Sequence, residues 1–565
     1  MKILSFQNKN QEKIKSSNLI RAKLSVCGTL LVLSFVAIGY RAVTLANPIK
    51  NSSNFTVITK NNLLLNKQQN TNRGNIFDRN HNLLATTINV SSLSINPHEV
   101  LNRDKTISKL KLIFPSIDKK TLLKKINSKK QHVNLFREIT PKEHIAVLDL
   151  GIEGIKVESA NKRIYPNNSL ASHVLGNTDI DGKGIAGIEK SFDTNLKMGE
   201  NVTLSIHGGI QHILKTSLLE QINKFEAEGG AGIIMDAKTG EIYALASLPD
   251  YNANNYRNII DDRLFNKASK GIYELGSTLK LITAAIAFES GLFKINDVFD
   301  VSSPLKISSR TISDFHPLNF AANIPEVIVH SSNIGSAKIA ERFGSEIQLK
   351  YLKSLGLMDK LSLEIPEISK PRVVTDEKLV TTMTIAYGYG ISITPVHLTS
   401  VTATIVNGGK KVNPTLLIPS LKKDGRQIFS KETSLKMRSI MRLVVSHEHG
   451  TATKAKAPGY LVGGKTGTAE KISASGRYYL KKENIVAFTS AFPINKPRFV
   501  VTVMIDNPKG QKSSHGYRGA GWVAAPVVGK IVTRIAPILG IKPQMNESVA
   551  LTKNLLKYKI RGAEL

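Results

Sequence analysis

The 565-residue chain holds one cysteine, Cys27. A single thiol cannot form an internal disulfide, so no disulfide framework staples this fold, and cysteine usage leaves the redox compartment open. Cys27 lies inside an apolar run and reads as a small packing residue. The thirteen histidines are scattered, and no His/Cys cluster has the spacing of metal ligands, so no metal and no other cofactor is expected. His447 and His449 read as loop residues. Acidic side chains are few: 44 Asp and Glu stand against 77 Lys and Arg, a formal net charge of +33. Such an excess suits nucleic acid, an anionic membrane or an acidic polymer. The basic residues, however, are spread along the whole chain and Lys outnumbers Arg roughly threefold. There is no arginine-rich block and no basic stretch interleaved with aromatics, so nucleic acid is not expected as a partner. Internal repeats and low-complexity tracts are also absent.

Long apolar runs are nearly absent too, with one exception. Leu24 to Tyr40, "LSVCGTLLVLSFVAIGY", carries no charge. At a rise of ~1.5 Å per residue it spans ~26 Å, near the lower limit for a bilayer. The apolar stretch resumes beyond Arg41 as "AVTLA", and an arginine near a helix end can snorkel. Lys2, Lys9, Lys13, Lys15, Arg21 and Lys23 precede the run against one Glu12, which keeps the N-terminus cytoplasmic. A cleaved signal peptide is the rival, with "TLA" before Asn47 as its cleavage site. The run is long for a signal peptide, so an uncleaved anchor is favoured. The expected order is a cytoplasmic N-terminus over 1–23, a transmembrane anchor over 24–44, and everything after it outside the inner membrane.

The length predicts two or three domains, and the 41% hydrophobic content can bury their cores. Residues 45–70 are polar and Asn-rich, a linker. "RGNIFDRNHNLLATT", Arg73 to Thr87, reads as a hairpin turning at Asp78–Asn82. Residues 100–150 are Lys-rich with helical apolar spacing (Leu110, Ile113, Ile117, Leu122, Leu123). Arg163 to Asp193 is loop-rich. The pattern changes near residue 200, which divides a 45–200 domain from a 201–565 domain. In the second, "GAGIIMDAKTGEIYALASLPD" gives two apolar strands around a turn at Lys238–Gly240. A mostly helical stretch follows from about 260 to 450. Strands at Leu461–Thr468, Ile485–Phe492 and Arg498–Ile505 and a helix over Ala525–Leu539 close the chain. Two early strands, three late ones and helices between predict an α+β domain around one five-stranded antiparallel sheet.

Within it, "YELGSTLKLITAAIAFE" places Ser277 and Lys280 three apart at the start of an apolar helix. A serine at a helix start is often only a cap. Spacing of three also puts Lys280 on the serine's face, one turn on. A serine hydroxyl needs an adjacent base to become a nucleophile. A lysine is a base only when neutral, which requires burial or a nearby cation. S-x-x-K alone is cheap: Ser108/Lys111, Ser116/Lys119, Ser303/Lys306 and Ser420/Lys423 also fit and are expected to be solvated pairs. S-x-N is equally cheap, as Ser16–Asn18, Ser52–Asn54 and Ser94–Asn96 show. Order and context discriminate. Downstream of Ser277, "VIVHSSNIGSAKIA" carries Ser331–Ser332–Asn333 before another helix, and "YLVGGKTGTAEK" sets Lys465–Thr466–Gly467–Thr468 on a strand whose glycines admit a substrate backbone.

This ordered trio resembles that of penicillin-binding proteins and class A β-lactamases. The resemblance extends over the chain after residue 20, and it is specifically to class B penicillin-binding proteins of the septal, FtsI type. "RGNIFDRN" and "GIEKSFD" resemble that family's elongated, non-catalytic pedestal, which assigns 45–200. "NKASKGIYELGSTLK", "YGYGISITPVHLTSVTATIVNGG", "GGKTGTAEK" and "WVAAPVVGKI" resemble its transpeptidase domain, which assigns 201–565. Two positions depart: His81 stands where the family usually has glycine, and His397 where it usually has glutamine. The first puts the turn's shape in question; the second is expected to be a packing change.

The resemblance implies a serine-type peptidoglycan D,D-transpeptidase, inhibited by β-lactams, acting at the division septum. Ser277 would attack the penultimate D-Ala of a D-Ala-D-Ala stem peptide, and Lys280 would take its proton. Ser331 would relay a proton to the leaving amine, Asn333 would orient Lys280 and the peptide, and Lys465 would add positive potential that helps keep Lys280 neutral and attracts the terminal carboxylate. Thr466 and Thr468, flanking Gly467, would bind the terminal carboxylate, and the Ser277 and Thr468 N–H groups would form the oxyanion hole. A neighbouring stem's amine, from diaminopimelate, would resolve the acyl-enzyme. The implied partners are a polymerising FtsW-type glycosyltransferase and other division proteins. A pedestal ion pair between Arg73 and Glu189 is also expected. The alternatives are an elongation-type class B transpeptidase, a β-lactamase, a membrane β-lactam sensor and an inactive division scaffold. The pedestal and anchor oppose the β-lactamase, and the short N-terminal segment opposes the sensor. The intact motifs oppose the scaffold, while "KTGTAEK" and the length favour septal over elongation work.

Overall fold

The computed structural model describes residues 25–39, 72–259, 262–308, 310–419, 425–473 and 478–544, with the backbone of 559–560 and 563–564. The chain divides into two compact units, Met1–Asn70 and Thr71–Leu565. In the first, Ser25–Gly39 is an apolar helix with its side chains, Cys27 included, exposed. The expected cytoplasmic segment 1–23, the anchor's flanks at Leu24 and 40–44, and the 45–70 linker lie outside the described residues.

The second unit holds two hydrophobic cores. The smaller lies under a five-stranded sheet, in which Leu83–Ile95 pairs with Ile76–Phe77, Val133–Ile139 and Ile155–Ile164. The sheet is antiparallel except where Ile76–Phe77 runs parallel to Val202–Thr203. Helices Arg103–Ile113 and Lys119–Ile126 fill the core with Ile107, Leu110, Leu122 and Ile126. Their starts are set by Asn102, which accepts from Lys105 N–H at 2.9 Å, and Asp118, which accepts from Thr121 N–H at 3.1 Å. The expected hairpin forms, with Ile76 opposite Ala85. Asp78 Oδ1 accepts from Asn80 and Asn82 N–H, both at 2.8 Å. His81 sits at φ 60°, so the turn keeps the left-handed step that glycine adopts freely. The Lys-rich region is not helical throughout: Val133–Ile139 is a strand between the helices, and Ile155–Ile164 is another beyond them.

The expected Arg73–Glu189 pair forms at 2.7 Å, with Glu189 fully buried. Glu189 also accepts from Arg163 Nε at 2.7 Å and Tyr165 Oη at 3.3 Å, while Arg73 reaches Asp193 at 2.7 Å. This network joins the first strand's approach to the loop-rich Arg163–Asp193 segment.

The larger core surrounds a five-stranded antiparallel sheet in the order Gly463–Ile472, Tyr479–Phe492, Phe499–Asp506, Gly229–Asp236, Ile242–Leu248. Two strands come early and three late, as expected. Phe499–Asp506 is buried at every position, so helices cover both sheet faces. Helices Gly208–Lys224 and Ala525–Ile538 pack on each other and on the sheet, and Pro395–Val406 packs on it as well. Among the described residues, Ala520–Ile538 alone is long and apolar enough to cross a membrane, but it is mostly buried inside the molecule; it belongs to the core. The 260–450 stretch is helical at Lys280–Glu289, Ile324–Val329, Asn333–Ser354, Leu379–Ala386, Pro395–Val406 and Lys431–Ser446. Three short two-stranded ribbons interrupt it, such as Val298–Asp300 with Ala321–Asn323. Strands of two or three residues are too short to leave a periodic signal. His397 is buried, held between Thr394 Oγ1 at 2.7 Å and Asp359 O at 3.1 Å, a local packing arrangement.

Candidate active site

The Lys280–Glu289 helix is preceded by a 3₁₀ turn, Gly276–Leu279. Leu279, not Ser277, occupies the helix N-cap, and neither turn nor helix has a side-chain cap. Ser277 is half-buried, and among the described residues its Oγ makes no hydrogen bond. A capping role is therefore excluded, and the hydroxyl is left available. The turn is seated on the Gly463–Ile472 strand. Gly276 has φ 52°, and a Cβ there would lie 2.6 Å from Thr468 O. On its other side, Gly388 of "YGYG" has φ 101°, and a Cβ there would collide with Gly276 O. Only glycine fits either position.

Lys280 is fully buried. Its Nζ donates to Ser331 O at 2.5 Å and Asn333 Oδ1 at 2.7 Å, and lies 3.2 Å from Ser331 Oγ. Lys465, equally buried, donates to the same Ser331 Oγ at 2.9 Å and to Thr466 O at 3.1 Å. The two amines thus meet at one hydroxyl, and among the described residues neither forms an ion pair. Burial holds the Lys280 amine well below the ordinary lysine range; the Lys465 charge pushes it further down and Asp314 opposes. Burial lowers Lys465 to about 7. The pair disfavours two charges at once. A neutral Lys280 has two N–H donors, which Ser331 O and Asn333 Oδ1 engage, and one lone pair left to accept a hydroxyl proton.

Ser331 itself sits at φ 62°, a left-handed conformation that a non-glycine residue adopts only when its surroundings impose it. The Asn333–Ser354 helix starts immediately after it, capped by Ser332, whose Oγ accepts from Gly335 N–H at 2.9 Å. Asp314 fixes this junction: its carboxylate accepts from Ser332 Oγ at 2.6 Å, Asn333 N–H at 2.5 Å and Ile334 N–H at 3.0 Å. Thr466 Oγ1 donates to Thr451 Oγ1 at 2.7 Å, and Thr468 Oγ1 accepts from Ala520 N–H at 3.2 Å. Thr468 is exposed on its strand.

The structure therefore brings Lys280, Ser331, Asn333 and Lys465 into direct contact, with Ser277, Gly467 and Thr468 at the adjoining turn and strand. Ser277 and Lys280 make no hydrogen bond to each other; Lys280 is engaged by the S-x-N residues. Asp314, Thr451, Gly388 and Glu274, a buried carboxylate accepting from Gly390 N–H at 2.8 Å, were not legible, because only long-range folding brings them here. The other S-x-x-K serines at 108, 116 and 303 are exposed, and Ser420 and Lys423 lie outside the described residues. Lys238–Gly240 is a turn whose N–H groups bond Asp236 Oδ1, Lys238 at 2.8 Å and Thr239 at 2.9 Å.

Comparison with known proteins agrees with this geometry. The family described as the penicillin binding protein transpeptidase domain matches residues 230–533, and the penicillin-binding protein dimerisation domain matches 68–204. The chain is 36% identical over 482 residues to the probable peptidoglycan D,D-transpeptidase FtsI of Caulobacter vibrioides, spanning 83% of this chain and 82% of that protein. It is 32% identical over 522 residues to the peptidoglycan D,D-transpeptidase FtsI of Buchnera aphidicola, spanning 83% and 87%. Among solved structures, penicillin-binding protein 3 of Mycobacterium tuberculosis, complexed with aztreonam, superposes with a TM-score of 0.68 at 23% identity, over 84% of this chain and 97% of that one. That likeness establishes the fold.

Proposed function

We propose, from the premise that this chain belongs to the FtsI-type penicillin-binding transpeptidases, that it cross-links peptidoglycan stem peptides at the division septum through an acyl-enzyme on Ser277. The observation that carries this reading is the Lys280 amine: buried, depressed, its donors occupied by Ser331 O and Asn333 Oδ1, with a lone pair to receive the Ser277 proton. Ser277 Oγ then attacks the penultimate D-Ala carbonyl. The oxyanion is held by the Ser277 and Thr468 N–H groups, whose backbones the Gly276–Thr468 contact supports. Collapse breaks the C–N bond. The leaving D-Ala amine takes a proton from Ser331 Oγ, which is resupplied from the lysine pair bonded to it, so the proton lost by Ser277 leaves with D-Ala. The amine of a diaminopimelate side chain attacks the ester, forms the new amide and returns a proton to Ser277. The Thr468 hydroxyl, exposed on its strand, donates to the terminal carboxylate; Thr466 lines the same strand with its hydroxyl proton given to Thr451, and Lys465 supplies positive potential from within the core. The same carboxylate-and-amide arrangement in a β-lactam makes it an inhibitor. No cofactor enters any step.

The organisation that accompanies this activity is a cytoplasmic 1–23, a membrane anchor over 24–44, a pedestal over 45–200 and a catalytic domain over 201–565. The last two stand in the periplasm, beside a polymerising FtsW-type glycosyltransferase and other division proteins. Mass spectrometry of penicillin-treated protein tests the chemistry: a single adduct on the peptide containing Ser277 is expected, and none in Ser277→Ala. An adduct elsewhere, or labelling that survives the substitution, refutes it. Protease added to spheroplasts tests the topology and should leave only a small N-terminal fragment.

A further inference from the structure

The Ala525–Ile538 helix and the turn at Thr453–Ala455 border a groove of about 400 Å³. Pro526 and Gly529 form its floor, and Lys454, Lys456, Lys530 and Arg534 stand around it. The turn runs close over the helix: a Cβ on Gly529 would lie 3.0 Å from Lys456 O. All four cations are exposed. Glu220 pairs with Lys530, Arg534 donates to Ser217 Oγ at 3.3 Å, and the Lys454 ammonium lies 3.9 Å from the Trp522 ring centroid. Among the described residues the four cations share one ion-paired carboxylate, Glu220, and the open groove keeps a positive potential.

Both walls lead to the catalytic strand. Thr451, three residues before Lys454, accepts from Thr466 Oγ1 at 2.7 Å. Ala520, two residues before Trp522, donates its N–H to Thr468 Oγ1 at 3.2 Å. The turn's Lys454 is thus three residues along the chain, and the helix's Pro526 six, from residues hydrogen-bonded to the strand that the proposed function assigns to the substrate carboxylate, and none of the groove's cations is used by the chemistry.

We propose that this groove is a second substrate subsite, holding the carboxylates of a stem peptide on the peptidoglycan strand beyond the reacting D-Ala-D-Ala. This rests on the transpeptidase reading and extends it. Each exposed ion pair contributes little by itself. A strand presenting several carboxylates to several cations gains through multivalency, and the gain is screened by salt.

The test uses the full chain in zwitterionic nanodiscs and soluble, uncross-linked glycan strands bearing pentapeptide stems. Strand binding and penicillin acylation are measured in parallel. In Lys456→Glu/Arg534→Glu, strand binding at low ionic strength should fall at least tenfold relative to penicillin acylation, and its salt dependence should flatten. Lys456→Gln/Arg534→Gln should show a smaller loss in the same direction. The same charge reversal at exposed pedestal positions, Lys142→Glu/Lys156→Glu, should leave strand binding as it is. Strand binding in the groove variants equal to that of the native protein overturns the proposal. Equal native affinity for strands stripped of their stems overturns it as well, as does tighter binding to phosphatidylglycerol vesicles than to stem-bearing strands. If the native protein is not acylated by penicillin at all, the transpeptidase reading itself fails, which separates the two outcomes.

Discussion

Replacing Lys465 with glutamine should move the acid limb of the acylation profile to higher pH and lower its maximum. Both amines reach Ser331 Oγ, Lys280 at 3.2 Å and Lys465 at 2.9 Å, so they lie no more than about 6 Å apart, where two unit charges repel by about 3 kcal/mol at an effective dielectric constant of ~20. Lys280 acts as a base only when neutral, so the rate falls as pH drops through its pKa. Burial, then the Lys465 charge, holds that pKa down. Removing the Lys465 charge lets Lys280 take up its proton at higher pH, and the rate falls earlier on acidification. Loss of the Lys465 hydrogen bond to Ser331 Oγ, worth about 1.5–3 kcal/mol as a charged hydrogen bond, is expected to lower the plateau about 10- to 150-fold. Stopped-flow acylation with a fluorescent penicillin, between about pH 5 and pH 10, resolves both effects. An acid limb that stays in place, or moves to lower pH, refutes the idea that the Lys465 charge keeps Lys280 neutral.

Glu189→Ala leaves two buried guanidinium groups without their shared carboxylate and should cost about 3–5 kcal/mol in urea denaturation; a loss under about 1 kcal/mol would assign the network the weight of a surface pair. Gly388→Ala places a methyl group against Gly276 O in a backbone conformation of φ 101°. Penicillin acylation should drop at least tenfold as the serine turn is displaced, and an unaltered rate would show that the turn does not depend on this contact. Lys465 has a folded pKa of about 7 against 10.5 for the free side chain. The unfolded chain therefore binds more protons between those values, and stability rises with pH across that window. Thermal denaturation at pH 7 and pH 9 should show this rise reduced in Lys465→Met; an equal rise in the variant removes Lys465 as its source.

What the sequence determined by itself is local or ordinal. The apolar runs at Gly229–Asp236, Ile242–Leu248 and Phe499–Asp506 are legible as strands because they are buried and carry few polar side chains, Asp236, Ser247, Thr502 and Asp506. The order of Ser277–Lys280, Ser331–Asn333 and Lys465–Thr468 marks the chemistry, because each motif's residues are held together by covalent spacing alone. The strands Val133–Ile139 and Ile155–Ile164 were not legible. They are half-exposed and rich in charge, and pairing with Leu83–Ile95 makes them strands. The neutral state of the Lys280 amine, with Lys465 helping to keep it so, was implied by the family resemblance but not by the residues around Lys280. Lysine is ordinarily charged, and nothing within a turn of Lys280 makes it neutral. Its depression comes from burial and from Lys465, 185 positions along the chain. The left-handed Ser331, the Asp314 clamp on Asn333 and the glycine-lined seat of the serine turn arise in the same way. Each joins segments that only the packed core brings within hydrogen-bond distance, and a proton affinity set by desolvation exists only once that core has formed.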